Sequence, residues 1–239
     1  MNEKSFKIFS DFDGTVSIDD IGETLVYRFG DRDRVYEIVK QWMENKITSP
    51  ESWYMMFATF RNFSMDEFHK MLDEMKLCPT FPGFAEYCRQ NNFELNIVSD
   101  GFDIYIKPML ERYGLSDIRY FCNRAVIKPD GLEPVFPYGD EECRLCGNCK
   151  RNHILTNCGD DDYIIYIGDG YSDKCPIEYC DYVFAKNSLL KFCEINRITY
   201  FPFSDFSDVI RKLDELKNRK RLKKKHQAAL KRMEVFKQG

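Results

Sequence analysis

Long hydrophobic runs are missing. No apolar stretch in the 239 residues approaches the ~20 residues that a membrane-crossing helix requires. The opening residues, Met1-Asn2-Glu3-Lys4-Ser5-Phe6, lack the apolar segment of a secretory signal. A cytoplasmic location is the expectation. Internal repeats are absent too, which excludes a stacked-repeat architecture. Basic residues are scarce on the body of the chain. Residues 211–239 hold 12 Lys or Arg against 3 Asp or Glu, a net of +9; since the whole chain carries −4, the first 210 residues carry −13. A nucleic-acid reader spreads Lys and Arg over its folded face, so no nucleic-acid partner is expected. Ten cysteines would suggest disulfides in a short secreted protein. In a long chain with no export signal, reduced thiols are the default.

What is plentiful is core material. The 44% hydrophobic and 15% aromatic content is enough for one large domain or two modest ones. Lys7 to Ser10 reads as a first strand. From Ile18 to Met75 the apolar residues fall at helical spacing, with Gly30 and Pro50 as punctuation, and we expect a compact helical insert. Pro79 and Pro82-Gly83 mark the return to the main body. A helix from about Phe84 to Gln90 follows, then a strand over Phe93–Val98 that Ser99-Asp100-Gly101 ends. Next come a helix over Phe102–Tyr113, strands within Tyr120–Ile127, a loop-rich stretch to Lys150 and a short helix to Asn157. Tyr163–Ile167 and Tyr182–Ala185 are buried-strand candidates, with a helix after Ser172 between them; Lys212 to Lys237 reads as one basic helix, solvated at its surface. Strands alternating with helices predict an α/β fold: a Rossmann-like, mostly parallel sheet with helices on both faces. The expected division is 1–17 and 78–210 for this core, 18–77 for an all-helical cap inserted after the first strand, and 211–239 for the basic helix.

Three polar motifs each sit directly behind an apolar run: Asp11-Phe12-Asp13-Gly14-Thr15, Ser99-Asp100-Gly101 and Gly168-Asp169-Gly170-Tyr171-Ser172-Asp173. In parallel sheets the ligand crevice lies outside the carboxyl ends of the strands. Asp11 and Asp13, two residues apart on an extended chain, face the same way. Like charges that close repel unless a cation or a proton sits between them. The pair suits a hard divalent ion bound through oxygen, or one carboxylate attacking while its neighbour handles a proton.

With Lys150, these segments resemble the haloacid dehalogenase-like hydrolase superfamily, in particular its phosphoserine-phosphatase-type branch. The motifs match in order, and the resemblance runs from about residue 6 to residue 205. It implies a Mg2+-dependent phosphomonoesterase. Asp11 is then the nucleophile that forms an aspartyl-phosphate, and Asp13 the general acid and base. The metal is held by Asp11, the Asp13 backbone carbonyl and Asp169, with Asp173 behind them. Gly14, Thr15, Ser99, Asp100, Gly101 and Lys150 would meet the phosphoryl group.

The alcohol part of the substrate is less legible. Phosphoserine phosphatases of this branch carry Glu where this chain has Asp20, and Arg61 in the cap is a candidate for meeting a carboxylate. The cysteine-rich run into Lys150, Cys143-Arg144-Leu145-Cys146-Gly147-Asn148-Cys149, is similar to that of the 2-hydroxy-3-keto-5-methylthiopentenyl-1-phosphate phosphatases of methionine salvage. It is similar also to that of phosphocholine and phosphoethanolamine phosphatases. A small phosphorylated metabolite is the expected partner, on a monomer or homodimer. The alternatives are a phosphomutase on the same scaffold and an idle fold serving as a binding module. C-x-x-C-x-x-C supplies three zinc ligands at workable spacing, with Cys122, His153 or Cys158 as candidates for a fourth.

Overall fold

The structure is a computed structural model that describes residues 5–61, 63–129 and 131–238. Seven strands form one sheet: β1 (Phe6–Ser10), β2 (Glu94–Phe102), β3 (Arg119–Lys128), β4 (Gly131–Val135), β5 (Tyr163–Gly168), β6 (Tyr182–Ala185) and β7 (Phe201–Pro202). Their spatial order is β4-β3-β2-β1-β5-β6-β7. All neighbours run parallel except the β3–β4 hairpin at one edge. The chain builds outward from β1 to β2 and β3, then returns to place β5 on the other side of β1. That reversal opens a crevice above the carboxyl ends of β2, β1 and β5, the ends at which the three motifs lie.

The central strands alternate in a way that fixes both layers. Ile8, Ile97, Ile165, Ile167 and Phe184 belong to the core on one face, and Phe9, Val98, Ile164, Tyr166 and Val183 to that on the other. With period-2 geometry both faces are covered, so these strands read as unbroken apolar runs. The covering helices are α5 (Phe81–Gln90), α6 (Asp103–Arg112), α7 (Lys150–Asn157), α8 (Asn187–Ile195) and α9 (Phe206–Lys217), preceded in the chain by the cap helices. Phe84 of α5 stacks on Phe206 of α9 with ring centroids 4.9 Å apart.

Between β1 and α5 stand four helices, α1 (Ile21–Phe29), α2 (Arg32–Met43), α3 (Ser49–Phe57) and α4 (Met65–Glu74). Each begins at a side chain that accepts a backbone N–H: Asp20, Asp31, Thr48 and Ser64, the third as a full capping box with Glu51. The insert leaves and returns through a two-stranded neck, where Ser17 bridges Leu77, Ile18 N–H donates to Lys76 O and Cys78 N–H to Val16 O. Its interior is continuous with the core beneath: Trp53 and Phe57 pack on Phe102 of β2 at 4.8 and 5.0 Å.

Three expectations about secondary structure are corrected. Strand β2 does not stop at Ser99 but runs to Phe102 through a register irregularity after Val98, and Asn123 of β3 donates to Asp100 O across it. No α-helix follows Ser172; two short 3-10 turns, Tyr171–Asp173 and Pro176–Tyr179, take its place. A helix begun there would put Pro176 in its interior, against the carbonyl of Ser172. The tail is not one helix. Helix α9 ends at Lys217, and α10 (His226–Gln238) begins after eight intervening residues. The intervening run of like charges opposes helical i,i+4 contacts. Its carbonyls at Leu222 and Lys223 instead accept from Tyr163 and Tyr182 of the sheet. Helix α10 lies against the second 3-10 turn, with Ala228 buried and Lys231 paired to Glu178. Among the described residues no helix is long and apolar enough to cross a membrane.

His153 of α7 is packed under the site. Its ring stacks on Phe121 at 4.1 Å, and its Nε2 lies 2.6 Å from Asn148 Oδ1. Burial pushes its pKa down to about 4, with the Arg119 charge adding to the effect. The folded state therefore prefers the neutral ring. That preference is fully present above the unfolded value near 6.5 and is lost as pH falls toward 4. Replacing His153 by Gln is expected to destabilise the protein at pH 7.5, with the deficit shrinking by on the order of 1–2 kcal/mol at pH 5. Urea denaturation of both proteins at the two pH values measures it.

Candidate active site

Asp11 leaves the end of β1 with its N–H on Ile167 O of β5, and its own Oδ1 accepts from Phe12 N–H. The same Oδ1 lies 2.8 Å from Lys150 Nζ, at the first turn of α7. Lys150 Nζ also meets Asp173 Oδ1 at 2.7 Å and Ser172 Oγ at 3.0 Å. Asp11, Lys150 and Asp173 are all buried. Burial works to strip the lysine of its proton, but Asp11 and Asp173 more than offset this and hold it charged.

Oxygens of Asp11, Asp169 and Asp173 lie within 4.8 Å of one another, the one set of three metal-competent side chains that gathers so closely among the described residues. Three carboxylates facing one lysine leave a charge of −2. Burial, then mutual repulsion, pushes Asp11 well above the usual carboxylate range and Asp169 in the same direction. Oxygen donors with that residual charge fit Mg2+. The three are not equivalent. Asp173 Oδ1 accepts from Lys150 and Tyr166, and its Oδ2 from the N–H groups of Asp169 and Gly170. Its acceptor capacity is therefore committed to shaping the turn and holding the lysine. Asp11 and Asp169 are the side chains that would hold the ion.

Asp13 sits beside this cluster and points at the cap. Its Oδ1 accepts from Ile21 N–H at 2.9 Å, at the positive end of α1, and its Oδ2 from Tyr105 Oη at 2.8 Å and Ser99 Oγ at 3.3 Å. Desolvation raises its pKa despite these donors. Gly14 adopts φ +69°, and a Cβ there would stand 2.8 Å from Asp169 Oδ2. At Gly101 a Cβ would overlap both Tyr105 Oη and Asp13 Oδ2. Thr15 Oγ1 donates to Asp169 Oδ1 at 2.9 Å.

The remaining candidates divide. Asp100 is turned to architecture, accepting from Ser49 of the cap, Asn123 and Asn148 N–H. Asp20 caps α1 through Glu23 N–H, yet borders the cleft, where desolvation and then Asp13 push its carboxyl up to about 8. Arg61 does not line the cleft; its guanidinium donates to Phe60 O. Cys143, Cys146 and Cys149 are free thiols, exposed, half-buried and buried in turn. His153 and Cys122 pack in the core.

The sequence reading missed Tyr105, Tyr166 and Asn148. Asn148 donates to Ser99 O and Phe121 O, locking the cysteine-rich loop to two strand ends. The two tyrosines fall at apolar helix and strand positions, and only their hydroxyls' carboxylate partners reveal them.

Above these residues lies a cavity of about 860 Å3. Its floor is Asp11, Asp13, Ser99 and Asp169, and its cap wall includes Val39, Trp42, Met43, Trp53 and Met56. Tyr171 Oη donates to Asn45 Oδ1, tying core to cap across the mouth.

This sheet order, the helical insert after β1 and the carboxylate–lysine cluster at the switch point define a haloacid dehalogenase-like hydrolase fold. Two solved phosphoserine phosphatase structures, one an analogue of the phospho-aspartyl intermediate and one with substrate bound, superpose with a TM-score of 0.68. They are 19% and 18% identical and cover 87% and 88% of this chain, 99% of each of theirs, so the likeness establishes the fold. In sequence, the family description "Putative Phosphatase" matches residues 6–196, and the chain belongs to that family. Among curated relatives, the 2-hydroxy-3-keto-5-methylthiopentenyl-1-phosphate phosphatase of Lysinibacillus sphaericus (strain C3-41) is 30% identical over 217 residues, covering 87% of this chain and 94% of its own. That of Bacillus mycoides (strain KBAB4) is 29% identical, covering 89% and 97%.

Lys150→Met is expected to lower folding stability by about 3–5 kcal/mol, because it strands two buried carboxylates. Adding Asp173→Asn should recover part of that loss. Denaturant midpoints of the single and double variants measure both effects; equal stability of Lys150→Met and wild type would contradict the buried ion pair.

Proposed function

We propose that this protein is a Mg2+-dependent phosphatase of a small phosphomonoester, working through an aspartyl-phosphate on Asp11. The observation that carries the reading is the residual −2 charge of Asp11, Asp169 and Asp173 around one buried lysine, at the floor of a capped cleft. Bound Mg2+ supplies the positive charge that lets a phosphate dianion approach an anionic nucleophile. Asp11 Oδ2, on the side away from Lys150, attacks phosphorus as the ester P–O bond breaks. Asp13, whose pKa burial raises, would act as the general acid and give a proton to the departing alkoxide. It then takes a proton from the water that attacks the aspartyl-phosphate, releasing inorganic phosphate and restoring Asp11. Tyr105 and the first turn of α1 hold the Asp13 carboxyl in place for both transfers. Ser99 Oγ, which accepts the Gly101 N–H at 3.0 Å and donates to Asp13, would turn its hydroxyl to a phosphoryl oxygen.

The cleft also bears on the alcohol. Its cap wall is aromatic and methionine-rich, its rim carries Asp19, Asp20 and Glu23, and the basic side chain lining it is Lys186. With Arg61 turned away, no Lys or Arg among the described cap residues lines the cleft to meet a substrate carboxylate. This disfavours phosphoserine. The apolar wall supports an uncharged, thioether-bearing alcohol such as the substrate named for the curated relatives. The two tryptophans beside the rim carboxylates favour a second reading, a cationic alcohol as in phosphocholine.

Asp11→Asn is expected to lower kcat on p-nitrophenyl phosphate by about a thousandfold or more, with the circular dichroism spectrum unchanged. Retained turnover would reject the nucleophile assignment. Chelation should abolish wild-type turnover and added Mg2+ restore it. In a panel of the methylthio enol phosphate, phosphocholine, phosphoethanolamine and phosphoserine, kcat/KM is expected to be lowest for phosphoserine.

A further inference from the structure

Strand β2 is irregular where it meets the site, and side chains hold its backbone there. Pairing with β3 lapses between Val98 and Phe102, and the register with β1 ends at Ile97. Carbonyls left out of a ladder in this way need other donors. Ser99 O receives the Asn148 amide at 2.7 Å, and Asp100 O receives the Asn123 amide at 2.8 Å. The segment that carries Ser99 Oγ is therefore splinted from β3 and from the loop before Lys150.

The side chain of Asp100 draws three units together. Its Oδ1 accepts from Asn148 N–H at 3.0 Å and from the Asn123 amide at 3.2 Å. Its Oδ2 accepts from the hydroxyl of Ser49, a buried residue in the first turn of α3. Ser49 reaches the same loop a second time, because its own N–H donates to Leu145 O at 3.0 Å. Asn148 and Leu145 lie two and five residues before Lys150. From Phe136 to Asn148 that loop has no helix and no extended strand to stiffen it, so its course depends on such contacts. One chain of contacts thus runs from the cap to Ser99 and to the loop that delivers Lys150.

We propose that Asp100 is a positioning residue that couples the seating of the cap to the placement of Ser99 and Lys150. Its effect on turnover rests on the phosphatase reading; the coupling itself belongs to the fold. With the cap seated, Ser49 engages Asp100 Oδ2 and Leu145 O, while Asp100 Oδ1 keeps Asn148 N–H in place. Lifting α3 breaks both Ser49 bonds at once. Asp100 then lacks a donor on Oδ2, and a carboxylate shielded from water must shift to find another. Any such shift moves Ser99, the preceding residue, and slackens the hold on Asn148.

Placement matters here because both groups act through short contacts. Lys150 Nζ lies 2.8 Å from Asp11. A displacement of about 1 Å among reacting groups lowers rates by roughly a hundredfold. The phosphoryl pocket is thus complete only beneath a closed cap.

The test compares the full wild-type chain with Ser49→Ala, which removes the hydroxyl and keeps the backbone tie to Leu145. Ser64→Ala removes the N-cap of α4 elsewhere in the cap and controls for general loosening. In Ser49→Ala, kcat on p-nitrophenyl phosphate is expected to fall about tenfold and inhibition by orthovanadate to weaken about fivefold or more. Orthovanadate takes the phosphoryl position and has no alcohol to touch the cap, so unchanged inhibition would confine Ser49 to shaping the cap and overturn the proposal. In an Asp100→Ala background, Ser49→Ala should lower kcat by no more than about twofold further; additive losses reject Asp100 as the link. Hydrogen–deuterium exchange reads the coupling without turnover. Peptides covering residues 96–105 and 138–152 should exchange about fivefold faster or more in Ser49→Ala, and at the wild-type rate in Ser64→Ala. Wild-type rates in both variants, or equal acceleration in both, overturn the coupling. Acceleration confined to Ser49→Ala in a protein that hydrolyses no ester would sink the phosphatase reading and leave the coupling standing. If Asp100→Ala does not fold, the exchange comparison decides.

Discussion

One buried cation holds this site together. Lys150 Nζ lies within hydrogen-bond distance of both Asp11 and Asp173, and neither carboxylate has another charged partner of opposite sign in the cluster. Taking three such groups out of water is costly, and the cost is recovered only where geometry and hydrogen bonding are nearly complete. Here they are. Asp173 is matched by four donors, Asp11 by a backbone N–H as well as the lysine. The arrangement still leaves Asp11 and Asp169 short of positive charge. A site underneutralised by two charges has the donors and the charge to hold a divalent ion.

The sheet topology makes that cluster possible. Asp11, Ser99 and Asp169 are far apart in sequence but lie at the carboxyl ends of three neighbouring strands, Asp11 and Asp169 just after β1 and β5 and Ser99 within the last residues of β2, at the point where the strand order reverses. Parallel strands deliver their carboxyl ends to one edge. Lys150 needs a different device, since it follows a loop rather than a strand. Asn148 supplies it, with its amide on Ser99 O and Phe121 O, so that the lysine two residues on enters from the same edge. The cap then closes the crevice through short polar ties, Ser49 to Asp100 and Tyr171 to Asn45, over an apolar wall.

Much of this was legible beforehand because the relevant signals are local. Apolar residues at Ile8-Phe9, Tyr163–Ile167 and Tyr182–Ala185 mark strands buried on both faces, and acidic residues behind the first two mark the crevice. Helical spacing marks the cap. The misreadings have equally physical causes. Pro176 forbids the helix that the residues after Ser172 otherwise permit. The tail's leucines fit one helical stripe, but Leu213 and Leu216 bury against α5 and the sheet while Ala228 buries against the Pro176–Tyr179 turn. Arg61 had the right chemistry for a substrate carboxylate and the wrong direction.

By itself, the sequence determined the class of fold and pointed to Asp11, Asp13 and Asp169 as candidates, because each sits in a short motif at a strand end; Lys150, at the end of a loop, stood out only through the resemblance. Only the tertiary structure decided what each carboxylate is for. Asp173 braces the lysine, Asp100 ties the cap, Asp20 caps a helix, and Asp11 and Asp169 remain open to an ion. A carboxylate's role depends on which donors reach its oxygens, and those donors, Tyr105, Tyr166, Ser49 and Lys150 among them, come from elements that meet only when the chain has folded.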